Sequence, residues 1–239
     1  FVEQGRRAGI GFIPKSGMSV SFGDPDNSGL TGIYTTNITE EGILIQGNNF
    51  WQPKGPLSPD PHFVNLAQLA GIFNAGWSYG SQFGDLNNDG YQDLYVANGY
   101  ISGKQGTSYW YDYSKVTGGN KAIIGDADNW PAMNGKSQSG YQQDKIWLND
   151  GNGSLTDVSG DVCPYADRDV RSVDCADLWN RGVLGLIVAN QDNIPLVYKN
   201  TLSGDNHWID FDLHDIFSNA DAIGSRVRLE WNGRRQTQI

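Results

Sequence analysis

The chain is poor in the residues that build soft-metal and nucleophile sites: its 239 residues include two Cys, three His and two Met. No Cys-x-x-Cys pair and no His-Glu-x-x-His array occurs, which removes the usual zinc frameworks. The histidines are His62, His207 and His214, and His207 beside Trp208 reads as structural. There is no Gly-x-Ser-x-Gly elbow and no phosphate-binding loop. Basic charge is scarce as well, with 17 Lys and Arg against 27 Asp and Glu and a net charge of −10. That balance repels a phosphate backbone, which sets nucleic acid aside as a partner, and it favours cations. No apolar run is long enough to span a bilayer, and no signal peptide is visible. The chain begins at Phe1 rather than Met and starts and stops inside sequence patterns. It therefore reads as a piece of a longer protein whose targeting signal lies upstream. Cys163 and Cys175 fit a disulfide formed outside the cell and a pair of buried thiols equally well.

What the chain has in quantity is glycine (31 residues), together with eight Trp, eleven Tyr and nine Phe. Many glycines with many aromatics suit short strands joined by tight turns, so the fold expectation is all-β. The organising feature is an internal repeat. Phe22-Gly23-Asp24-Pro25-Asp26-Asn27-Ser28-Gly29 recurs as Phe83-Gly84-Asp85-Leu86-Asn87-Asn88-Asp89-Gly90. Upstream, Phe1 with Ala8-Gly9-Ile10 matches Phe63 with Ala70-Gly71-Ile72. Downstream, the strand Gly32–Asn37 matches Asp93–Asn98. A looser third copy has Leu155-Thr156-Asp157-Val158 in the place of Phe63, Asp177 in the place of Asp85, and strand Leu186–Asn190 in the place of Leu94–Asn98. Its spacing requires an insertion, which falls at about 99–143.

Each unit thus reads as strand, acidic loop, strand and hairpin. Units of this make-up are typical of propeller blades, and the chain holds about three where a propeller needs at least four. Asp144–Asn149 resumes a strand after the insertion, Asp150-Gly151-Asn152-Gly153 supplies a hairpin turn, and Pro195–Asn200 is a further strand. The tail changes character. Asn206–Leu213 and Ile223–Trp231 alternate apolar and polar residues as half-buried strands do, and Asn232-Gly233 turns a hairpin. The expected division is a partial propeller over 1–203 and the start of a small β-domain over 204–239.

The loop Asp85–Asp93 carries the chemistry. Asp85, Asn87 and Asp89 place side-chain oxygens at alternate positions, Tyr91 stands where a backbone carbonyl would ligate, and Asp93 closes the set. Six to eight oxygens at flexible angles are what calcium takes. Gly90 follows the third ligand, where the chain must turn sharply. The opening resembles an EF-hand loop, but strands rather than helices flank it. Three carboxylates this close repel one another without a cation. The alternative is a metal-free polar turn. In the first loop Asp24, Asp26 and Ser28 take the ligand positions and Leu30 offers a carbonyl, but Gly32 replaces the closing Asp. Metal and water fit that loop equally. The third loop sets Trp179, Arg181 and Gly185 against Asp177, so it is expected to hold no ion, with the Arg181 guanidinium in the ion's place.

Other candidates weigh less. Asp126-Ala127-Asp128-Asn129-Trp130 lacks the glycine and the following strand, and reads as a surface loop. The cluster Tyr109-Trp110-Tyr111-Asp112-Tyr113 is expected to pack as a satellite core over a sheet edge, with sugar stacking or a protein anchor as the alternative. Asn37-Ile38-Thr39 and Asn152-Gly153-Ser154 are glycosylation sequons.

Phe83-Gly84-Asp85, Gly90 and Asp93-Leu94 together resemble the FG-GAP/VCBS repeat of integrin-like β-propellers. Asn206-His207-Trp208 and Ser218-Asn219-Ala220-Asp221-Ala222-Ile223-Gly224-Ser225-Arg226-Val227 resemble the ASPIC/UnbV domain. The pairing is that of the cartilage acidic protein family and its bacterial relatives. The resemblance implies a secreted, surface or periplasmic calcium-binding propeller. Its function would be adhesion, protein interaction or glycan binding without catalysis, with a protein or glycan ligand, or further blades in a larger assembly, as partner. Two alternatives stay open: a polysaccharide lyase on a similar propeller, and a purely structural part of a surface assembly.

Overall fold

A computed structural model describes residues 1–55, 60–117, 125–152, 154–162, 168–216 and 219–238. The all-β expectation holds: among the described residues several antiparallel sheets form, none of them closed on itself. The first sheet has the order β1 (Val20–Gly23), β2 (Gly32–Thr35), β5 (Asn49–Pro53), β6 (Phe63–Asn65), with β3 (Thr39–Glu40) and β4 (Leu44–Ile45) as a small separate ladder. The second runs β7 (Ser78–Gly84), β8 (Asp93–Asn98), β9 (Lys145–Asn149), β10 (Leu155–Asp157). The third holds β11 (Val170–Ala176), β12 (Gly185–Asn190) and β13 (Leu196–Tyr198). In the tail, β14 (Val227–Trp231) pairs with β15 (Arg234–Gln238) around Asn232-Gly233.

The repeat is therefore a repeat of sheets. Each acidic loop joins the first two strands of its sheet, and Phe63 and Leu155 both open a fourth strand. Even the turn before each of the first two units is copied. Ala8 N–H donates to Gln4 O and Ile10 N–H to Gly5 O (2.9 and 2.8 Å), as Ala70 does to Leu66 and Ile72 to Ala67 (both 2.9 Å).

β8 shows why the sheets stack. All six of its residues are buried. Leu94 and Val96 join Tyr34, Phe50, Phe83 and Trp147 in one core, while Tyr95 and Ala97 join Ile146, Val170, Val173 and Val188 in another. A strand with both faces covered carries a near-continuous apolar run, and Leu-Tyr-Val-Ala is one. The first strands of the sheets stand against one another. Ser21 and Ser81 share a hydroxyl hydrogen bond of 2.8 Å between β1 and β7. On the other side, a Cβ built on Gly80 of β7 would lie 2.8 Å from Ser172 Cα of β11.

The insertion holds helix α1 (Trp110–Thr117) and a single 3₁₀ turn at Ala127–Asn129, capped by the Asp126 side chain, where the sequence suggested plain loop. A second short helix, α2 (Ser159–Val162), follows β10. Tyr109 is buried, and Trp77 stacks on Tyr100 at 4.5 Å, with Trp110, Tyr113 and Trp130 continuing the aromatic contacts. This is the satellite core; Tyr111 alone of the Tyr109–Tyr113 aromatics stands well out in solvent, at 70 % exposure.

Two expectations fail in the tail. Asn206–Leu213 forms no strand, and Ile223–Trp231 is strand only from Val227. An alternating pattern makes a strand only when an edge is there to pair with, and Trp208, Ile209 and Phe211 stay largely exposed. Asn37 is buried, which closes the first sequon to a glycan in the folded chain. Gly153 of the second sequon, Cys163 and Ser218 lie outside the described residues, and Cys175 is a free thiol.

Candidate metal centre

The second loop leaves β7 at Gly84 and enters β8 at Asp93, so both ends are held in a sheet. Within it, Asp85 folds the chain around its carboxylate: Oδ1 accepts from Asp89 N–H at 3.1 Å and Oδ2 from Gly90 N–H at 2.9 Å. Asn87 Oδ1 accepts from Asp89 N–H (3.0 Å), Asn87 Nδ2 donates to Asp89 Oδ2 (2.9 Å), and Asp89 Oδ1 accepts from Tyr91 N–H (2.9 Å). Asp93 is fully buried, with Oδ2 accepting from Leu86 N–H and Oδ1 from Asn149 N–H, both at 2.8 Å. All four predicted side-chain ligands are thus brought into one turn. Tyr91 meets them through its N–H, the donor to Asp89 Oδ1, where its carbonyl was expected, and its ring lies over Gly151.

The first loop repeats the design. Asp24 Oδ1 accepts from Ser28 N–H (2.9 Å) and Oδ2 from Gly29 N–H (2.6 Å). Asp26 accepts from Ser28 N–H and from the Gln52 side-chain amide, each at 3.2 Å, and Leu30 N–H reaches Ser28 Oγ. In the third loop Gly182 N–H again reaches Asp177 Oδ2. Arg181 departs from expectation: its guanidinium reaches out to Asn200 O at 3.2 Å.

The three loops share more than their ligand positions. Each reads Asp-x-x-Asn-x-Gly, and both the Asn and the Gly take positive φ: Asn27 53° and Gly29 79°, Asn88 57° and Gly90 94°, Asn180 49° and Gly182 68°. Asn and Gly tolerate that region best. The Asn has a second task. Asn27 Nδ2 donates to Gly90 O, and Asn88 Nδ2 donates to Gly182 O, both at 2.8 Å. Each loop is thereby tied to the glycine carbonyl of the next. Gln92 Oε1 accepts from Asp24 N–H at 2.7 Å, and Asn149 Nδ2 bridges Pro25 O (2.7 Å) and Gln92 O (3.0 Å).

The electrostatics of the second loop favour a cation. Burial pushes Asp93 up to about 7 against the pull of the Asn149 and Leu86 N–H groups, and the Asp85 and Asp89 charges push it further. Asp85 is raised by burial and again by Asp89, and burial lifts Asp24 to about 6. Among the described residues no three His, Cys, Asp or Glu side chains converge closely enough to hold a metal by themselves. The donor set fits a hard ion nevertheless. It is all oxygen, it mixes carboxylates with an amide, and each side-chain oxygen keeps a lone pair beyond its N–H contact.

A second buried carboxylate is invisible to motif reading. Asp144 Oδ2 accepts from Tyr95 OH at 2.5 Å and Oδ1 from Asn98 N–H at 2.7 Å, beside a cavity of about 400 Å³ between the second and third sheets. Burial lifts its carboxyl from 3.8 to about 6. A folded value above the unfolded one means the folded chain holds the proton more tightly. Stability is therefore expected to fall as the pH rises from about 4 through about 6, by about 3 kcal/mol from this group. Urea midpoints across that range check it: Asp144→Asn flattens the slope, and an unchanged slope refutes the assignment.

Compared with known proteins, the chain matches no family model and no curated sequence. Fold and site together define an all-β chain of repeated sheets whose first two strands are joined, in each repeat, by an Asp-x-x-Asn-x-Gly turn.

Proposed function

We propose that the chain is a calcium-fastened binding module without catalysis, its sheets acting as blades of an FG-GAP/VCBS-type propeller and its tail as an ASPIC/UnbV-like domain. It works at a cell surface or outside the cytoplasm, on a protein or glycan ligand. The observation that supports this reading is the all-oxygen set of Asp85, Asn87, Asp89 and Asp93 in one strand-to-strand turn, folded by the Asp85 carboxylate on Asp89 and Gly90 N–H and closed by Asp93 on Leu86 N–H. Calcium would be held by Asp85, Asn87, Asp89, the Tyr91 carbonyl and Asp93; at Asp24, Asp26, Ser28 and Leu30 the site is poorer by one carboxylate. The ion supplies charge neutralisation and a rigid turn, and the residues present the sheet edges. Extracellular modules of this kind bind calcium at roughly 10⁻⁴ to 10⁻³ M. Calorimetric titration of calcium into the metal-free chain is expected to show binding in that range with a rise in melting temperature, both lost in Asp89→Ala. Absence of heat together with an unmoved melting temperature rejects the reading.

A further inference from the structure

The tail lies along the row of loops and meets each one at its glycine. A Cβ built on Gly29 would sit 3.7 Å from the Arg226 guanidinium and 3.8 Å from Thr237. One on Gly90 would sit 3.8 Å from the Trp231 indole and 3.9 Å from Gln236 Oε1. One on Gly182 would fall inside the Trp208 indole, 1.9 Å from Cγ. Asn206 Nδ2 also donates to Asn87 O at 3.3 Å. Three copies of one turn thus offer three equivalent bare-backbone positions, and residues from three places in the tail, 206–208, 226–231 and 236–237, cover them.

These contacts run to loop backbone at Asn87, Gly90, Gly29 and Gly182, so an ion on the side-chain oxygens does not displace them. Between the second loop and the hairpin lies a cleft of about 520 Å³, lined on one side by Asp85 and Asp89 and on the other by Trp208, Trp231 and Arg234. It leaves room for an ion with its water beside the docked tail. The loops are also mechanically joined, since Asn27 holds Gly90 O and Asn88 holds Gly182 O.

We propose that the three linked turns form a docking rail for the C-terminal hairpin, and that calcium in the Asp85 loop tightens that docking by fixing the backbone around Gly90. The proposal rests on the calcium reading above. Asn27 and Asn88 are positioning residues: they carry the fixed geometry of the middle loop to its neighbours. Linkage makes the coupling reciprocal, so the tail raises calcium affinity by the same factor by which calcium favours docking.

The test uses the full chain and calcium alone as probe. Hydrogen exchange over residues 226–238 is followed with and without calcium, beside the calorimetric titration. The expected result is exchange slowed about tenfold by calcium, within the usual range of coupling strengths. In Gln236→Ala, calcium binding weakens. Calcium is expected to alter indole fluorescence in the parent partly through Trp208 over Gly182, the part that Trp208→Phe removes; Asn88→Gly keeps the backbone turn without strain and removes the bridge, and there calcium still binds but that part of the change is lost. Heat of calcium binding with unchanged exchange over 226–238 overturns the docking proposal and leaves the calcium site standing. Absence of heat removes the calcium reading and the proposal with it.

Discussion

Replacing Asp93 by alanine is expected to destabilise the metal-free chain by about 3 kcal/mol at pH 5, and by less at pH 8. The loss comes from the two donors left behind. Leu86 N–H and Asn149 N–H both end on this carboxyl at 2.8 Å, at a side chain with no solvent exposure. A buried N–H deprived of its acceptor costs about 1–3 kcal/mol, and there are two. The pH dependence follows from the burial that lifts Asp93 from 3.8 to about 7. A carboxyl whose folded value is raised contributes most where it is protonated, and its contribution declines as the pH passes from about 4 through about 7. The alanine variant lacks that decline, so the gap between the two proteins narrows with rising pH. Calcium reverses the trend in the parent by favouring the ionised form, and does so less in the variant. Asp93→Asn keeps one acceptor oxygen and sheds the charge, so it should fall between the two. Urea midpoints at pH 5 and pH 8 in chelator decide the matter: equal stability of parent and Asp93→Ala at pH 5 would show that these hydrogen bonds are not what holds the loop to β9.

This residue marks how far sequence reading reached. Asp93 was legible as a member of the acidic loop because it stands at a fixed distance from Asp85 and opens an apolar strand. Its bond to Asn149 was not, since that contact joins positions more than fifty residues apart across the insertion. The succession of strand, acidic loop and strand was legible because each copy keeps an apolar run after the same turn. The third loop was legible from Asp177 and the apolar strand that follows it, but its likeness to the other two is closest in the backbone. Trp179 and Arg181 erase the ligand pattern, yet Asn180 and Gly182 keep the positive-φ pair. Those conformational demands give the same alignment as Asp177 does. The tail misled for the opposite reason. Asn206–Leu213 has the period of a strand and no edge to lie against, and Trp208 turns instead onto Gly182. Asp144 carried no motif at all; its role depends on Tyr95 and Asn98 from a strand on the far side of the insertion.

The second large effect is expected at Gly80, where Gly80→Ala should cost about 3 kcal/mol or more. Gly80 sits in β7 with no unusual backbone conformation, so the prediction rests on space alone. The added methyl would lie 2.8 Å from Ser172 Cα, 3.1 Å from Arg171 O and 3.1 Å from Val173 N. These are backbone atoms of β11, and no side chain can swing aside to make room. Overpacking in a core that can relax costs about 1–3 kcal/mol, and here relaxation means moving a strand. β11 is not free to move, because it pairs with β12 while Val170 and Val173 fill the core shared with Tyr95, Ala97 and Ile146. The substitution therefore forces a choice between parting the second and third sheets and opening that core. Gly17→Ala is the control: a methyl added there meets nothing within 4 Å, and stability should change by about 0.5 kcal/mol at most. Thermal unfolding of the three proteins gives the answer. If Gly80→Ala melts with the parent, the two first strands do not stand backbone to backbone, and the stacking of sheets that sets the loops in a row must be drawn differently.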